Sequence, residues 1–343
     1  MEHIRLGNTS ITTPRNAFGV LPIQRVSFDQ ARSLLRRAVE GGMTFFDTAR
    51  SYSDSEEKMG YALEDLRERI FIATKTQATT GDSLRADLET SLRNLRTDYV
   101  DLYQLHNVEQ VFRPGDGTGV YEALLEAKEQ GRIRHIGITA HKIALAEEAV
   151  ESGLYETLQF PFNYLSGPRE LALVERCAQV GMGFIAMKGL AGGLLGGRSR
   201  AIMAHMLQFP NVVPIWGIQR PEELEEWLGY MAEPPELTPE LQEQIDADRA
   251  QLQGDFCRSC GYCMPCPQGI QINQAARMGL LLRRMPSDGW LTECWQQEME
   301  RITGCTDCRA CVGKCPYELD IPNLLRANLD DYRKVLSGER SVS

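Results

Sequence analysis

Nine of the ten cysteines crowd between Cys257 and Cys315, eight of them in two runs. The first sets Cys257, Cys260, Cys263 and Cys266 two residues from one another and ends on Pro267. The second repeats that spacing in Cys305, Cys308 and Cys311, then leaves three residues before Cys315 and Pro316. Three thiolates so spaced can wrap three corners of a four-iron cube, while the cysteine ahead of proline reaches across to a neighbouring cube. By that rule Cys257, Cys260, Cys263 and Cys315 hold one [4Fe–4S] cluster, and Cys305, Cys308, Cys311 and Cys266 hold the other. Cys266 is the least regular ligand, because its run is one residue short before the last cysteine. A single cluster or a zinc ion would use the same residue types, but zinc favours pairs of cysteines over triplets followed by Cys-Pro. Cys177, alone in the earlier part of the chain, and Cys294, in the spacer between the runs, read as small buried residues.

A second set of chemical groups sits where short apolar runs end. Asp47 follows Thr44-Phe45-Phe46, Lys75 follows Ile70–Thr74, and His106 follows Tyr103-Gln104-Leu105, with Tyr52 in the loop beyond Asp47. A phenol, with a reference pKa of about 10, is a poor acid near neutral pH unless a nearby cation stabilises its phenolate. A lysine held by an aspartate would be such a cation. Singly, each residue has a plain structural explanation; four converging on one mouth point to proton transfer.

Eight apolar runs could position them: Ala17–Ile23, Thr44–Ala49, Ile70–Lys75, Tyr99–His106, His135–Ala140, Thr157–Tyr164, Gly183–Leu190 and Val212–Gly217. They are continuous rather than alternating, as parallel strands covered on both faces are. Helical patterns lie between them, at Phe28–Glu40, Ser83–Leu95, Glu122–Gln130, Ile143–Ser152 and Arg169–Val180, and a hairpin over residues 3–13 comes first. Eight such units predict an α/β fold, a (β/α)8 TIM barrel. Asn107–Gly119 and Gly197–Met206 read as loops shaping its pocket. An acidic Pro-Pro stretch at residues 232–236 marks a linker, so the barrel spans residues 1–235. After it come helical residues to about Gly254 and a small, mainly α-helical ferredoxin-like domain over 236–331, whose spacer carries helices at Ile272–Arg284 and Glu293–Arg301. Residues 332–343 read as a polar tail.

The stretches Phe46-Asp47-Thr48-Ala49, Tyr52, Ser55-Glu56, Thr74-Lys75 and Leu105-His106 resemble the signature of the aldo-keto reductase family, over residues 1 to about 230. With the C-terminal cysteine runs added, the chain resembles the iron–sulfur subgroup of that family. The resemblance implies a catalytic tetrad: Tyr52 as general acid, Lys75 paired with Asp47 to lower its pKa, and His106 to orient a carbonyl. It further implies a nucleotide cleft of Gln159, Asn163, Lys188, Gly189, Gly217, Gln219 and Arg220, taking NADP or NAD, with a flavin as a further candidate. The sequence departs from the family at three places. Thr139-Ala140 stands where a Ser-Asn pair is usual, Met187 where an aromatic stacks on the nicotinamide, and Glu223 where an arginine is common.

These readings predict an oxidoreductase interconverting a carbonyl and an alcohol, with electrons passing through the clusters to a partner such as ferredoxin. The alternative is an electron-transfer or redox-sensing module whose barrel merely binds nucleotide. A formal net charge of −10 argues against nucleic-acid partners and anionic membranes. The absence of an apolar leader or a membrane-length apolar stretch predicts a cytoplasmic protein.

Overall fold

The structure is a computed structural model that describes residues 1–252, 256–284 and 287–342. A short antiparallel hairpin, β1 (His3–Arg5) with β2 (Thr12–Pro14), comes first. Eight parallel strands then close into a barrel: β3 (Ala17–Gly19), β4 (Phe45–Asp47), β5 (Phe71–Thr76), β6 (Val100–Leu105), β7 (Ile133–Thr139), β8 (Thr157–Pro161), β9 (Gly183–Met187) and β10 (Val212–Gly217), with β10 pairing back to β3. Their residues are buried almost without interruption, which is why the sequence shows runs instead of alternation. Several runs stop short of their apolar length. The first ends at Gly19 because Leu21–Arg25, with Pro22 in its first turn, winds into a 3-10 helix.

The helices between the strands are α1 (Phe28–Glu40), α2 (Ser55–Leu63), α3 (Gly81–Leu95), α4 (Val120–Glu129), α5 (Ile143–Ser152), α6 (Pro168–Val180), α7 (Ser199–Met206) and α8 (Pro221–Ala232). In α1 the buried stripe is Ala31, Leu34, Leu35 and Ala38. Its start is fixed by a reciprocal cap, Ser27 Oγ accepting from Gln30 N while Gln30 Oε1 accepts from Ser27 N. Gly197–Met206 was expected as loop, and this is corrected: from Ser199 it is helix. Ala201, Ile202, Met203, Ala204 and Met206 are all fully buried, so the segment lacks the polar face that marks a surface helix in sequence.

The hairpin shuts the N-terminal end of the barrel. Leu6 and Ile11 pack into one buried cluster with Ala17, Phe45, Ala73, Leu102, Ile185 and Val213. The turn at Gly7 has φ +57°, and a Cβ there would stand 2.2 Å from the Gly183 nitrogen, at the foot of β9. Gly7→Ala therefore adds a backbone clash to left-handed strain, and about 2–3 kcal/mol of stability is expected to be lost. A thermal melt unchanged from the parent would contradict this account of the barrel floor.

The chain divides into two compact units, Met1–Gly189 with Met203–Leu237, and Leu190–Ile202 with Thr238–Ser343. In the second unit lie α9 (Pro239–Gln251), α10 (Ile272–Ala275), α11 (Met278–Arg284), α12 (Glu293–Glu300), α13 (Ala310–Gly313) and α14 (Ile321–Leu336). The expected helix end near Gly254 lies outside the described residues. Asp248 of α9, 3% exposed, receives Arg284 at 2.6 Å and Arg198 at 3.1 Å, and Arg284 also donates to the Leu194 carbonyl. That network is one reason residues 190–202 fold with this unit. Residues 332–336, expected as tail, instead continue α14. Tyr332 is buried there and its hydroxyl donates to the Trp290 carbonyl at 2.7 Å, so the helix is held by packing.

Candidate active site and cluster sites

Lys75, on β5, is an ammonium only 1% exposed. An unpaired charge there would be strongly destabilising, and its neighbours supply every partner it needs. Nζ donates to Asp47 Oδ1 at the end of β4 (2.5 Å) and to the Thr48 carbonyl (2.6 Å), and the Tyr52 phenol lies close enough to raise its pKa. An ammonium has three donors and no acceptor. Toward the Tyr52 oxygen Lys75 can therefore only donate, which leaves the phenol its own proton. Asp47 accepts two further bonds, from Gln104 Nε2 on β6 (3.0 Å) and Gln159 Nε2 on β8 (3.1 Å). Lys75 and Gln104 are register partners across β5 and β6, which brings both to one level of the barrel.

His106 follows directly on β6, its backbone N–H donating to the Thr76 carbonyl at 2.7 Å. Its ring stands edge-on to the Tyr52 ring with centroids 5.5 Å apart, and Ser51 Oγ is 3.3 Å from Nδ1. Lys75 Nζ lies 5.1 Å from the centre of the Tyr52 ring. All four polar groups singled out in the sequence thus meet at the C-terminal ends of neighbouring strands.

Their protonation follows from burial and charge. Burial pushes the Lys75 ammonium down, but Asp47 and Tyr52 outweigh it, and the net direction is up. Burial raises Tyr52, and Lys75 opposes that only in part. Burial, reinforced by Lys75, holds His106 down to about 3, so the ring is neutral near pH 7. His141 is a further group here, unmarked by any motif in the sequence. It is buried just past β7, with Nδ1 3.0 Å from Asn107 Oδ1, and burial together with Lys188 and His106 keeps it well below its ordinary value. Its one sequence signal was its place two residues beyond a strand end.

The residues expected around a nucleotide are less unified. Gln159 belongs to the Asp47 network, and its Oε1 is buried without a hydrogen-bond partner among the described residues. Asn163 Nδ2 donates to the Lys188 carbonyl at 3.1 Å. Gly189 and Gly217 have packing reasons to be glycine: a Cβ would stand 2.4 Å from the Trp216 ring at the first and 3.0 Å from the Pro22 ring at the second. At the start of α8, Glu223 Oε2 accepts the backbone N–H of Gln219 (2.9 Å) and of Arg220 (3.1 Å), while Oε1 pairs with the Arg220 side chain at 2.7 Å. The anion-binding end of that helix is filled by the chain's own carboxylate.

In the second unit, one pocket is lined by Cys263 and Cys266 of the first run and by Cys305, Cys308 and Cys311 of the second, with Ile270 and Leu325 among its apolar walls. The other three thiols gather at Cys263. Burial pushes Cys263 up to about 12, and Cys257, Cys260 and Cys315 lie close enough to push the same way. The last cysteine of each run thus lies near cysteines of the other, and eight thiols in this arrangement are a donor set compatible with two four-iron cubes. Cys177 is buried as expected, its thiol pushed up to about 12 by burial. Cys294 is exposed on α12, contrary to expectation, because it falls on the face opposite buried Met299.

A profile of the aldo/keto reductase family matches residues 15–208, more than half of the chain. The chain belongs to the aldo/keto reductase family. A 4Fe-4S dicluster domain profile matches residues 256–320. An uncharacterized oxidoreductase, YrpG, of Bacillus subtilis is 26% identical over 78% of this chain and 98% of its own length. The methylglyoxal reductase YeaE of Escherichia coli is 29% identical over 68% of this chain and 84% of its own. Among solved structures, a thermostable aldo-keto reductase with the inhibitor epalrestat is 28% identical, with a TM-score of 0.61, over 72% of this chain and 99% of its own. An aldo/keto reductase from Klebsiella pneumoniae in complex with NADP and acetate shares the fold at 22% identity and a TM-score of 0.62, over 74% of this chain and 97% of its own. The protein is thus an enzyme, an oxidoreductase whose barrel is followed by an iron–sulfur domain. Among the described residues no helix is long and apolar enough to cross a membrane.

Proposed function

We propose that the reductase interconverts a small carbonyl compound and its alcohol at Tyr52 with a nicotinamide cofactor, and that its two clusters exchange electrons with a redox partner such as ferredoxin. The reading is carried by one observation: a buried Lys75, held by Asp47 and Thr48 beside the Tyr52 ring, can only donate, which leaves the Tyr52 proton as the one available for transfer. A bound nicotinamide would supply the hydride, which no side chain can.

The other steps fall to the chain. Tyr52 donates its proton to the carbonyl oxygen, and Lys75 stabilises the phenolate left behind. In the tautomer of neutral His106 whose Nδ1 accepts from Ser51 Oγ, 3.3 Å away, the ring proton rests on Nε2 and can hold the carbonyl oxygen in place. The unpartnered Gln159 Oε1 is a buried acceptor suited to a carboxamide N–H of the nicotinamide. A sensor that only bound nucleotide would have no use for this proton donor. The relatives named above do not point to a flavin, and that alternative is not carried forward.

The experiment mixes anaerobic, iron-loaded protein with NADPH or NADH and methylglyoxal, the compound named for the YeaE relative. Nicotinamide oxidation that depends on the carbonyl supports the reading. Bleaching of the broad cluster absorbance at about 400 nm would show that the clusters share those electrons. Nicotinamide left unoxidised with methylglyoxal and a panel of other small aldehydes and ketones would refute it.

Glu223 gives a sharper expectation. A 2′-phosphate approaching α8 meets a carboxylate that already holds two backbone N–H groups and Arg220. NADH is therefore expected to serve at least as well as NADPH. Glu223→Gln removes the like charge and is expected to raise the NADPH to NADH ratio of kcat/KM by about tenfold, or roughly 1.4 kcal/mol. An unchanged ratio would place the phosphate elsewhere.

A further inference from the structure

We propose that Arg277 sets the reduction potential of the cluster held by Cys257, Cys260, Cys263 and Cys315, its buried guanidinium raising that potential while the cluster at Cys266, Cys305, Cys308 and Cys311 is left unchanged. The inference rests on the ligand groups proposed above.

Arg277 is 4% exposed, and no carboxylate pairs with it among the described residues. Its guanidinium is held by neutral acceptors: Nη2 donates to the Gly192 carbonyl at 2.9 Å, and Nη2 and Nε reach Gln274 Oε1 at 3.2 and 3.3 Å. Nη1 is buried without a hydrogen-bond partner among the described residues. A buried cation with an idle donor is costly unless something anionic stands beside it.

The geometry says what that is. Nη1 and the Cys257–Cys260 loop press on the same spot. A Cβ on Gly192, where φ is +64°, would lie 3.0 Å from Nη1, 3.4 Å from Ser259 Cβ and 3.5 Å from the Arg258 carbonyl oxygen. Arg277 and Cys257 are close enough to act on each other's charge. The position also has a local cost. The expected helix Ile272–Arg284 is broken into α10 and α11, with Arg277 in the gap, so the backbone gives up regular helix at the residue that turns toward the cysteine loop.

A four-iron cluster with four thiolates is already anionic, and one electron from a low-potential donor makes it more negative by one unit. A fixed, desolvated cation beside it favours the reduced form, because little water is present to screen the charge. The other cluster's pocket differs. There Asp307 pairs with Arg326 at 2.9 Å and Asp320 lies 3.9 Å from Arg309, so its flanking charges are compensated.

The test is a potentiometric titration with dithionite on the full, iron-loaded chain, each cluster followed by EPR at low temperature. In Arg277→Gln and Arg277→Met the equilibrium constant for reducing one cluster is expected to fall at least tenfold, which is 59 mV for a one-electron couple. Arg277→Lys is expected to keep most of the parent potential, and Arg326→Gln to leave this cluster unmoved. Full iron content with no shift would overturn the proposal, as would an equal shift in both clusters or a shift in Arg277→Lys as large as in Arg277→Gln. Loss of the cluster in both neutral variants would also overturn it, making Arg277 a folding residue. Failure of the ligand groups themselves would show separately, as fewer than two clusters in the parent protein.

Discussion

Tyr52→Phe is expected to cut carbonyl reduction by about 10²–10⁴-fold, the range typical of a lost general acid, while KM for nicotinamide changes little. The substitution removes one oxygen and keeps the ring that packs edge-on against His106 and lies under Lys75. It is a cleaner probe than Asp47→Asn or Lys75→Met. Each of those leaves a buried charge without its partner, at about 3–5 kcal/mol, and confounds chemistry with folding. The pH profile is the second half of the expectation. Tyr52 stays protonated through neutral pH because burial holds it above its ordinary value, and His106 stays neutral because burial and Lys75 hold it at about 3. The rate of reduction should therefore be flat from about pH 6 to 9, with no inflection in the range of a free histidine, and fall only in alkali. A depressed histidine also fixes the sign of its linkage to stability. Below the unfolded value of about 6.5 the unfolded chain binds a proton that the folded site refuses, so this group's contribution to stability is lost as pH falls from there toward 3. An inflection near pH 6.5 in the rate would mean that His106, rather than Tyr52, carries the proton.

The barrel was legible because its strands are buried on both faces, so eight apolar runs stood out without alternation. What was hidden had no such contrast. Helix α2 escaped notice because Ser55, Glu56 and Lys58 are buried polar residues: Glu56 pairs with Arg50 and accepts from Thr74 Oγ1, and Lys58 Nζ donates to the carbonyls of Ile23 and Gln24. Helix α7 was missed for the opposite reason, because from Ala201 to Met206 it is buried and almost wholly apolar, with no continuous polar face. The tetrad could be listed from strand ends, but not its support. Gln104 and Gln159 hold Asp47 through contacts among three strands, β4, β6 and β8, and such pairs leave no spacing to read in a linear sequence. The same limit applies to Arg277, whose partner Gly192 is 85 positions away. The membership of Leu190–Ile202 in the second unit was likewise unreadable, since it rests on Arg284 and Arg277 reaching those carbonyls.

The crossed ligand sets make the largest prediction about the second unit. If clusters were built from neighbouring cysteines alone, Cys315 would serve with Cys305, Cys308 and Cys311. In the structure Cys315 lies close enough to Cys257 and Cys263 to act on their charge, and Cys266, with Cys263, lines the pocket of Cys305, Cys308 and Cys311. Cys315→Ser is then expected to lower iron from about eight atoms per chain to about four. The double variants decide which four are lost. Cys260→Ser with Cys315→Ser strikes one cluster twice and should lose no more iron than either alone, whereas Cys308→Ser with Cys315→Ser strikes both and should lose nearly all of it. Non-additivity in the first pair and additivity in the second is the signature of crossing, by the logic of a double-mutant cycle applied to metal content. The reverse pattern would assign each run its own cluster. It would also leave without a use the proline after each last cysteine, Pro267 or Pro316, whose fixed φ would help turn the chain away from its own run toward the neighbouring cube.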